Sequence, residues 1–185
     1  MTPTPGAGPQ AARIETVRAA DGTALVQRTW DPPAGPASPA PAGALLLVHG
    51  VGEHAGRYEH VAAALAALGL VVRAYDQRGF GRSGGAKGTL PHPEALLDDA
   101  RLMYEALARE HPGSAPFVLG HSMGGCVVAR AVTGGWIAAP RGMILSSPGL
   151  EPNINAVQRA AALAGARLFP DLRVPHGLPL DRLSH

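Results

Sequence analysis

Cysteine is almost missing from this chain. Cys126 is the only one, so no internal disulfide can form and no thiolate metal site can be built; one turn beyond a serine of interest, it reads as a small buried apolar residue. Aromatic residues make up 4% and are not interleaved with a basic stripe, which excludes the usual footprint of nucleic-acid binding. Charged residues amount to 16% and leave a net charge of +2, a small excess of arginine with no basic cluster. Long apolar runs are absent too. The longest, residues 61–72, covers 12 positions, where a membrane-spanning helix needs about 20. The amino terminus carries no apolar signal region, so a cytoplasmic protein is expected. The 8 histidines are scattered and H-E-x-x-H does not occur, so neither a metal nor a cofactor is expected.

What the chain does have is alternation. Short apolar runs at 13–19, 24–30, 44–48, 70–75, 116–121 and 142–146 read as strands, and 58–68, 94–110 and 122–133 as helices. Strands and helices in turn imply an α/β fold: a mostly parallel sheet covered on both faces. Asp21-Gly22 joins the first two strands as a hairpin turn. The helices carry apolar stripes: Tyr58, Val61, Leu65 and Leu68 on one; Leu96, Leu97, Ala100, Met103, Tyr104 and Leu107 on the next; Val127, Val128, Ala131 and Val132 on the third. Residues 1–12 read as a disordered tail. The stretch 32–42 holds five prolines and no charge, a stiff connector within one domain.

The chemistry is written at Gly120-His121-Ser122-Met123-Gly124. A serine placed between a buried strand and a helix, with glycines two positions to either side, is the G-x-S-x-G nucleophile elbow of α/β-hydrolases. The glycines are needed because side chains there would strike the neighbouring strand and helix. The N–H of Met123 opens the helix and can stabilise an oxyanion. A second loop, His49-Gly50-Val51-Gly52-Glu53-His54, follows the apolar strand 44–48. Loops in that position supply the other oxyanion donor, and by position the donor is the Val51 N–H.

A rival reading uses the same glycines. Gly50-x-Gly52-x-x-x-Gly56 between strand and helix, with Asp76 ending the next strand, resembles a dinucleotide fingerprint. Gly79-x-Gly81-x-x-Gly84 is closer in letters but opens no helix. Neither accounts for the elbow.

The stretch from His49 through Tyr58, with its G-E-H-x-G-R-Y letters, the run from Asp76 to Ser83, the elbow, and Ser146-Ser147-Pro148 together resemble the monoacylglycerol lipase and lysophospholipase branch of the α/β-hydrolases. The resemblance implies hydrolysis of monoacylglycerols, lysophospholipids or related single-chain esters, without cofactor. It implies Ser122 as nucleophile and the Val51 and Met123 amides as oxyanion hole. His49, Gly50, Gly120, His121 and Gly124 would support the loop and elbow, with His49 structural and not the base. It further implies a hydrolase core over 13–149 and the start of a cap over 150–185, through which a membrane surface could be touched transiently. Ile154, Val157, Ala161, Ala164 and Leu168, at helical spacing, would form the first cap helix. The alternative is an ordinary amphipathic helix packed on the core.

The family order is serine, acid, histidine. After Ser122 the chain offers Glu151, Asp171 and Asp181, with His176 and His185. The proline-rich setting of 170–185 gives them no strand end to stand on. Family members carry further strands with the acid and histidine, so the expectation is a C-terminally truncated hydrolase whose partners lie beyond residue 185. Two functions stay open: a serine ester hydrolase, or a non-catalytic hydrolase-like fragment that self-associates through an exposed sheet edge.

Overall fold

The computed structural model describes residues 11–33, 41–150 and 155–168. Its elements are β1 (Arg13–Arg18), β2 (Ala24–Trp30), β3 (Gly43–Val48), α1 (Glu59–Ala67), β4 (Leu70–Tyr75), α2 (Ala95–Glu110), β5 (Phe117–His121), α3 (Met123–Thr133), β6 (Met143–Ser146) and α4 (Ala156–Leu168). One sheet runs in the order β1-β2-β4-β3-β5-β6. The β1–β2 and β2–β4 pairs are antiparallel, and β4–β3, β3–β5 and β5–β6 are parallel. At Asp21-Gly22 the turn is closed by Gly22, at φ 82°, and by the Thr23 N–H donating to Asp21 Oδ1 at 3.0 Å.

The central strands are apolar throughout because both faces are covered. Leu46 and Val48 of β3 face a core with Val71, Tyr75, Leu97, Met103, Leu107 and Val128. Leu45 and Leu47, one residue out of step, face Trp30, Ala62, Ala66, Val72 and Ala74. Thus α2 and α3 cover one face and α1 the other. The stripe expected on α1 needs correcting at its end: Leu68 is exposed, having passed the last helical turn, and small Ala62 and Ala66 make the buried contact. A single 3-10 turn, Ala55–Tyr58, precedes α1. Cys126 is only half-buried, because position 126 lies at the flank of the α3 stripe.

At one edge of the sheet, β6 leaves Met143 and Ile144 40% and 47% exposed, and β1 is exposed at the other edge. The described side chains of α4, Val157, Leu163 and Leu168 among them, are exposed. The core-packed alternative for this helix is therefore not what the structure adopts. Ile154 lies outside the described residues.

Arg73 is fully buried in β4, on the α2 face by the two-residue period of the strand. Its guanidinium forks onto Glu110 at the end of α2, at 3.0 and 2.6 Å, and its Nε donates to Thr29 Oγ1 at 3.3 Å. The Arg73 hydrogen bonds hold the Glu110 carboxyl below its ordinary value. A depressed folded-state value gives stability that is complete above the ordinary value of 4.5 and lost as pH falls below it. Glu110→Gln should therefore unfold at a lower temperature than the parent near pH 7, with the gap closing as pH drops below that value. Thermal unfolding across the acid range measures it; a gap that stays constant would remove Glu110 from the account.

Candidate active site

The parallel strands β3, β4 and β5 end at one edge of the sheet, where their following loops meet. Ser122 follows β5 and caps α3 with φ 51° and ψ −117°, a strained backbone for a residue with a side chain. Neighbouring glycines make the turn fit. A Cβ on Gly120 would overlap the Gly124 carbonyl, and one on Gly124 would overlap the carbonyls of Val48 and His49. The turn is tied to the next strand by the Ser122 N–H, which donates to the Ser146 carbonyl at 2.9 Å. Ser122 itself is half-buried, open enough to be reached.

The loop after β3 lies against the elbow: a Cβ on Gly50 would stand 3.2 Å from Ser122 Cβ and 3.4 Å from His121 Cδ2. Among the described residues, neither the Val51 N–H nor the Met123 N–H donates to a protein acceptor. Met123 is the first residue of α3, where a helix leaves its amides free and its dipole positive. Both amides are thus free among the described residues, the Met123 N–H next to Ser122 in the chain and the Val51 N–H next to Gly50, which packs against Ser122.

His49 is fully buried, and both ring nitrogens are engaged. The backbone N–H of Gln77 donates to Nε2 at 2.9 Å, so Nε2 is the acceptor and the proton sits on Nδ1, 2.7 Å from the Gly50 carbonyl. The Gln77 side-chain amide donates to the His49 carbonyl at 2.6 Å. Burial pushes the imidazole's pKa down, and a neutral ring held by backbone groups has no free nitrogen to take a proton from Ser122. His121 contacts Ser146 Oγ through Nδ1 at 3.1 Å and tilts against the Tyr58 ring. No described side chain hydrogen-bonds the Ser122 hydroxyl. Glu151, Asp171, His176, Asp181 and His185 lie outside the described residues.

Asp76 is buried, and both carboxylate oxygens are spent: Oδ1 accepts the Ala55 N–H and Oδ2 the Arg82 N–H, each at 2.8 Å. It ties the loop after β3 to the loop after β4. A carboxylate buried in this way is out of reach of a ribose, and the dinucleotide reading falls with it. Gly81, at φ 54°, passes directly over this carboxylate, where a Cβ would collide with it. Ser83 completes the turn by donating to the Asp76 carbonyl at 2.6 Å and accepting the Val26 N–H at 2.8 Å.

Glu53, Tyr58, Asp76 and Gln77 stand in the motifs read from the sequence, but their role in holding this loop was not legible there. Glu53 Oε1 accepts the Gly50 N–H at 2.5 Å and the Tyr58 hydroxyl at 2.6 Å. The one local signal was a carboxylate three residues after a glycine in a loop too irregular to satisfy its own amides. No group of His, Cys, Asp and Glu suited to a metal occurs among the described residues. No described helix is long and apolar enough to cross a membrane.

Comparison with known proteins places this geometry. The profile of the family described as serine aminopeptidase, S33, matches residues 39–185. The chain is 36% identical over 165 residues to the monoacylglycerol lipase of Mycolicibacterium smegmatis, covering 88% of this chain and 55% of that protein. Among solved structures, the Paleococcus ferrophilus monoacylglycerol lipase superposes with a TM-score of 0.64 at 31% identity, covering 83% of this chain and 55% of the other. A soluble variant of the Saccharomyces cerevisiae monoglyceride lipase gives 0.77 at 25% identity, covering 97% and 60%. The chain spans about half the length of the curated relatives it matches.

Proposed function

We propose a function from one premise: the chain belongs to the serine aminopeptidase S33 family of α/β-hydrolases and is similar to monoacylglycerol lipases. The reading is a serine ester hydrolase acting on monoacylglycerols, lysophospholipids or related single-chain carboxylic esters. Although the family carries a peptidase label, the similar relatives are lipases, which favours an ester over a peptide.

The observation that carries it is the Ser122 elbow, strained at φ 51° on the amino end of α3 with Gly50 packed against it. Ser122 Oγ attacks the ester carbonyl and gives its proton to a histidine. The carbonyl oxygen becomes an oxyanion between the Val51 and Met123 amides. The alcohol leaves carrying that proton, and water then releases the acyl group from Ser122 as a free acid. Acid and histidine are not assigned, since Asp171, Asp181, His176 and His185 lie outside the described residues. One hydrolase core at 13–149 and the start of a cap over 150–185 remain the proposed division, with the exposed apolar side chains of α4 offered to an acyl chain or a membrane surface.

Two observations favour a second reading. Among the described residues no imidazole reaches the Ser122 hydroxyl, and the β6 edge is open. On that reading the 185-residue chain folds as a hydrolase core without turning over substrate, and self-associates along β6. Labelling with a fluorophosphonate separates the two. Rapid labelling that disappears in Ser122→Ala supports the hydrolase. A folded chain that stays unlabelled supports the second reading.

A further inference from the structure

The Val51 amide sits in a loop of no regular structure, with Gly52 at φ 75° beside it and a solvent-exposed side chain of its own. Such a loop has many conformations open to it, yet an oxyanion donor must be held within a fraction of an ångström. What holds it is concentrated on Gly50. The Gly50 carbonyl accepts from His49 Nδ1 at 2.7 Å, and the Gly50 N–H donates to Glu53 Oε1 at 2.5 Å. A trans peptide is planar, so anchoring the Gly50 carbonyl fixes the Val51 N–H in the opposite direction. Anchoring the Gly50 N–H fixes the preceding peptide, and together the two bonds leave Gly50 no free torsion.

Building on the serine hydrolase reading, we propose that Glu53 is a positioning residue for the oxyanion hole: its carboxylate clamps the Gly50 N–H as His49 clamps the Gly50 carbonyl, presenting the Val51 amide to Ser122. Tyr58, at the start of α1, braces the same oxygen with its hydroxyl at 2.6 Å. Desolvation and then Glu53 push the Tyr58 phenol upward, which keeps that proton in place as a donor. Arg57 Nε stands 3.7 Å from the second carboxylate oxygen, and the Glu53 side chain is only 12% exposed. Charge-assisted bonds as short as those Glu53 Oε1 accepts from the Gly50 N–H and the Tyr58 hydroxyl are roughly twice as strong as neutral ones. Ala at position 53 would release Gly50 altogether, whereas Gln would retain a weaker acceptor in the same place.

The test uses the full chain and three versions of it: parent, Glu53→Gln and Glu53→Ala. Amide exchange by NMR reads the clamp without requiring activity. In Glu53→Ala the Gly50 amide should exchange at least about tenfold faster than in the parent, and the Val51 signal should move or broaden, with Glu53→Gln between. Fluorophosphonate labelling of Ser122 should slow about 10- to 100-fold in Glu53→Ala, again with Glu53→Gln between and the unfolding midpoints of the folded variants close to the parent's. In steady-state ester hydrolysis the loss should fall on kcat, with KM nearly unchanged. Unchanged Gly50 and Val51 amides in a folded variant would overturn the proposal, as would released amides with an unchanged labelling rate. If the parent itself is not labelled, the hydrolase reading fails, and the Gly50 and Val51 signals still decide whether Glu53 sets the amide. Should Glu53→Ala not fold, the same readouts on Glu53→Gln carry the decision.

Discussion

Gly124→Ala is expected to lose more than about 3 kcal/mol of folding stability, at or beyond the upper end of what overpacking usually costs. The added methyl has nowhere to go. It would overlap the carbonyls of Val48 and His49 at the end of β3, and these are backbone atoms with no rotamer to escape into. Moving them would break the register in which Val48 pairs with Gly120, and with it the contact between the β3 loop and the elbow. The control is Gly113→Ala, where a Cβ meets nothing within 4 Å and φ is not positive; it should stay within about 0.5 kcal/mol of the parent. Denaturant midpoints measure both. A Gly124→Ala chain within about 1 kcal/mol of the parent would mean that α3 does not sit against β3 as described.

Arg78→Leu should cost about 3–5 kcal/mol, the range found when one partner of a buried ion pair is removed. Arg78 binds Asp99 of α2 with both ends of its fork, at 2.6 and 2.7 Å, and reaches Asp21 in the hairpin turn at 2.8 Å. Asp99 is 1% exposed. Without Arg78 its charge has no solvent and no partner, and burial already pushes its carboxyl up. Asp21, on the surface, would merely return from the low value at which Arg78 holds it. The loss should therefore come mainly from Asp99. Adding Asp99→Leu to Arg78→Leu removes the stranded charge and should restore much of the stability, even though it takes away a second polar residue. A double variant less stable than Arg78→Leu alone would contradict this assignment.

Much of the framework was legible because its signals are local. Short runs such as Leu45 to Val48, bounded by glycines, read as strands covered on both faces, and the α2 stripe from Leu97 to Leu107 names its own buried side. The elbow was legible for the same reason: the constraint on Gly120 and Gly124 lies within a few residues of Ser122. The polar ties were not. His49 and Gln77 meet across 28 positions, Arg78 and Asp99 across 21, and Arg73 and Glu110 across 37. Each meeting depends on which strands are neighbours, and periodicity assigns faces, not neighbours. Arg73 illustrates the difficulty. A charged residue in the middle of an apolar strand has no local rationale until Glu110 arrives from the far end of α2. Leu68 failed in the opposite direction, since a pattern of period 3.6 continues in the letters after the helix itself has stopped.

The Gly50 clamp lies between these extremes. Its members, His49 and Glu53, are close in sequence, and the loop letters were singled out for their resemblance to a family. What the letters could not give was direction: that the His49 ring faces the Gly50 carbonyl because the Gln77 N–H has claimed its other nitrogen.

On the proposed mechanism, Ser122 carries the acyl group between the two half-reactions. The most direct measurement is intact and peptide mass spectrometry of the chain, acid-quenched within seconds of mixing with a long-chain monoacylglycerol. An acyl mass increment is expected on the peptide containing Ser122, absent from Ser122→Ala. A folded chain that carries no acyl group and releases no fatty acid, or one acylated at another residue, would contradict it.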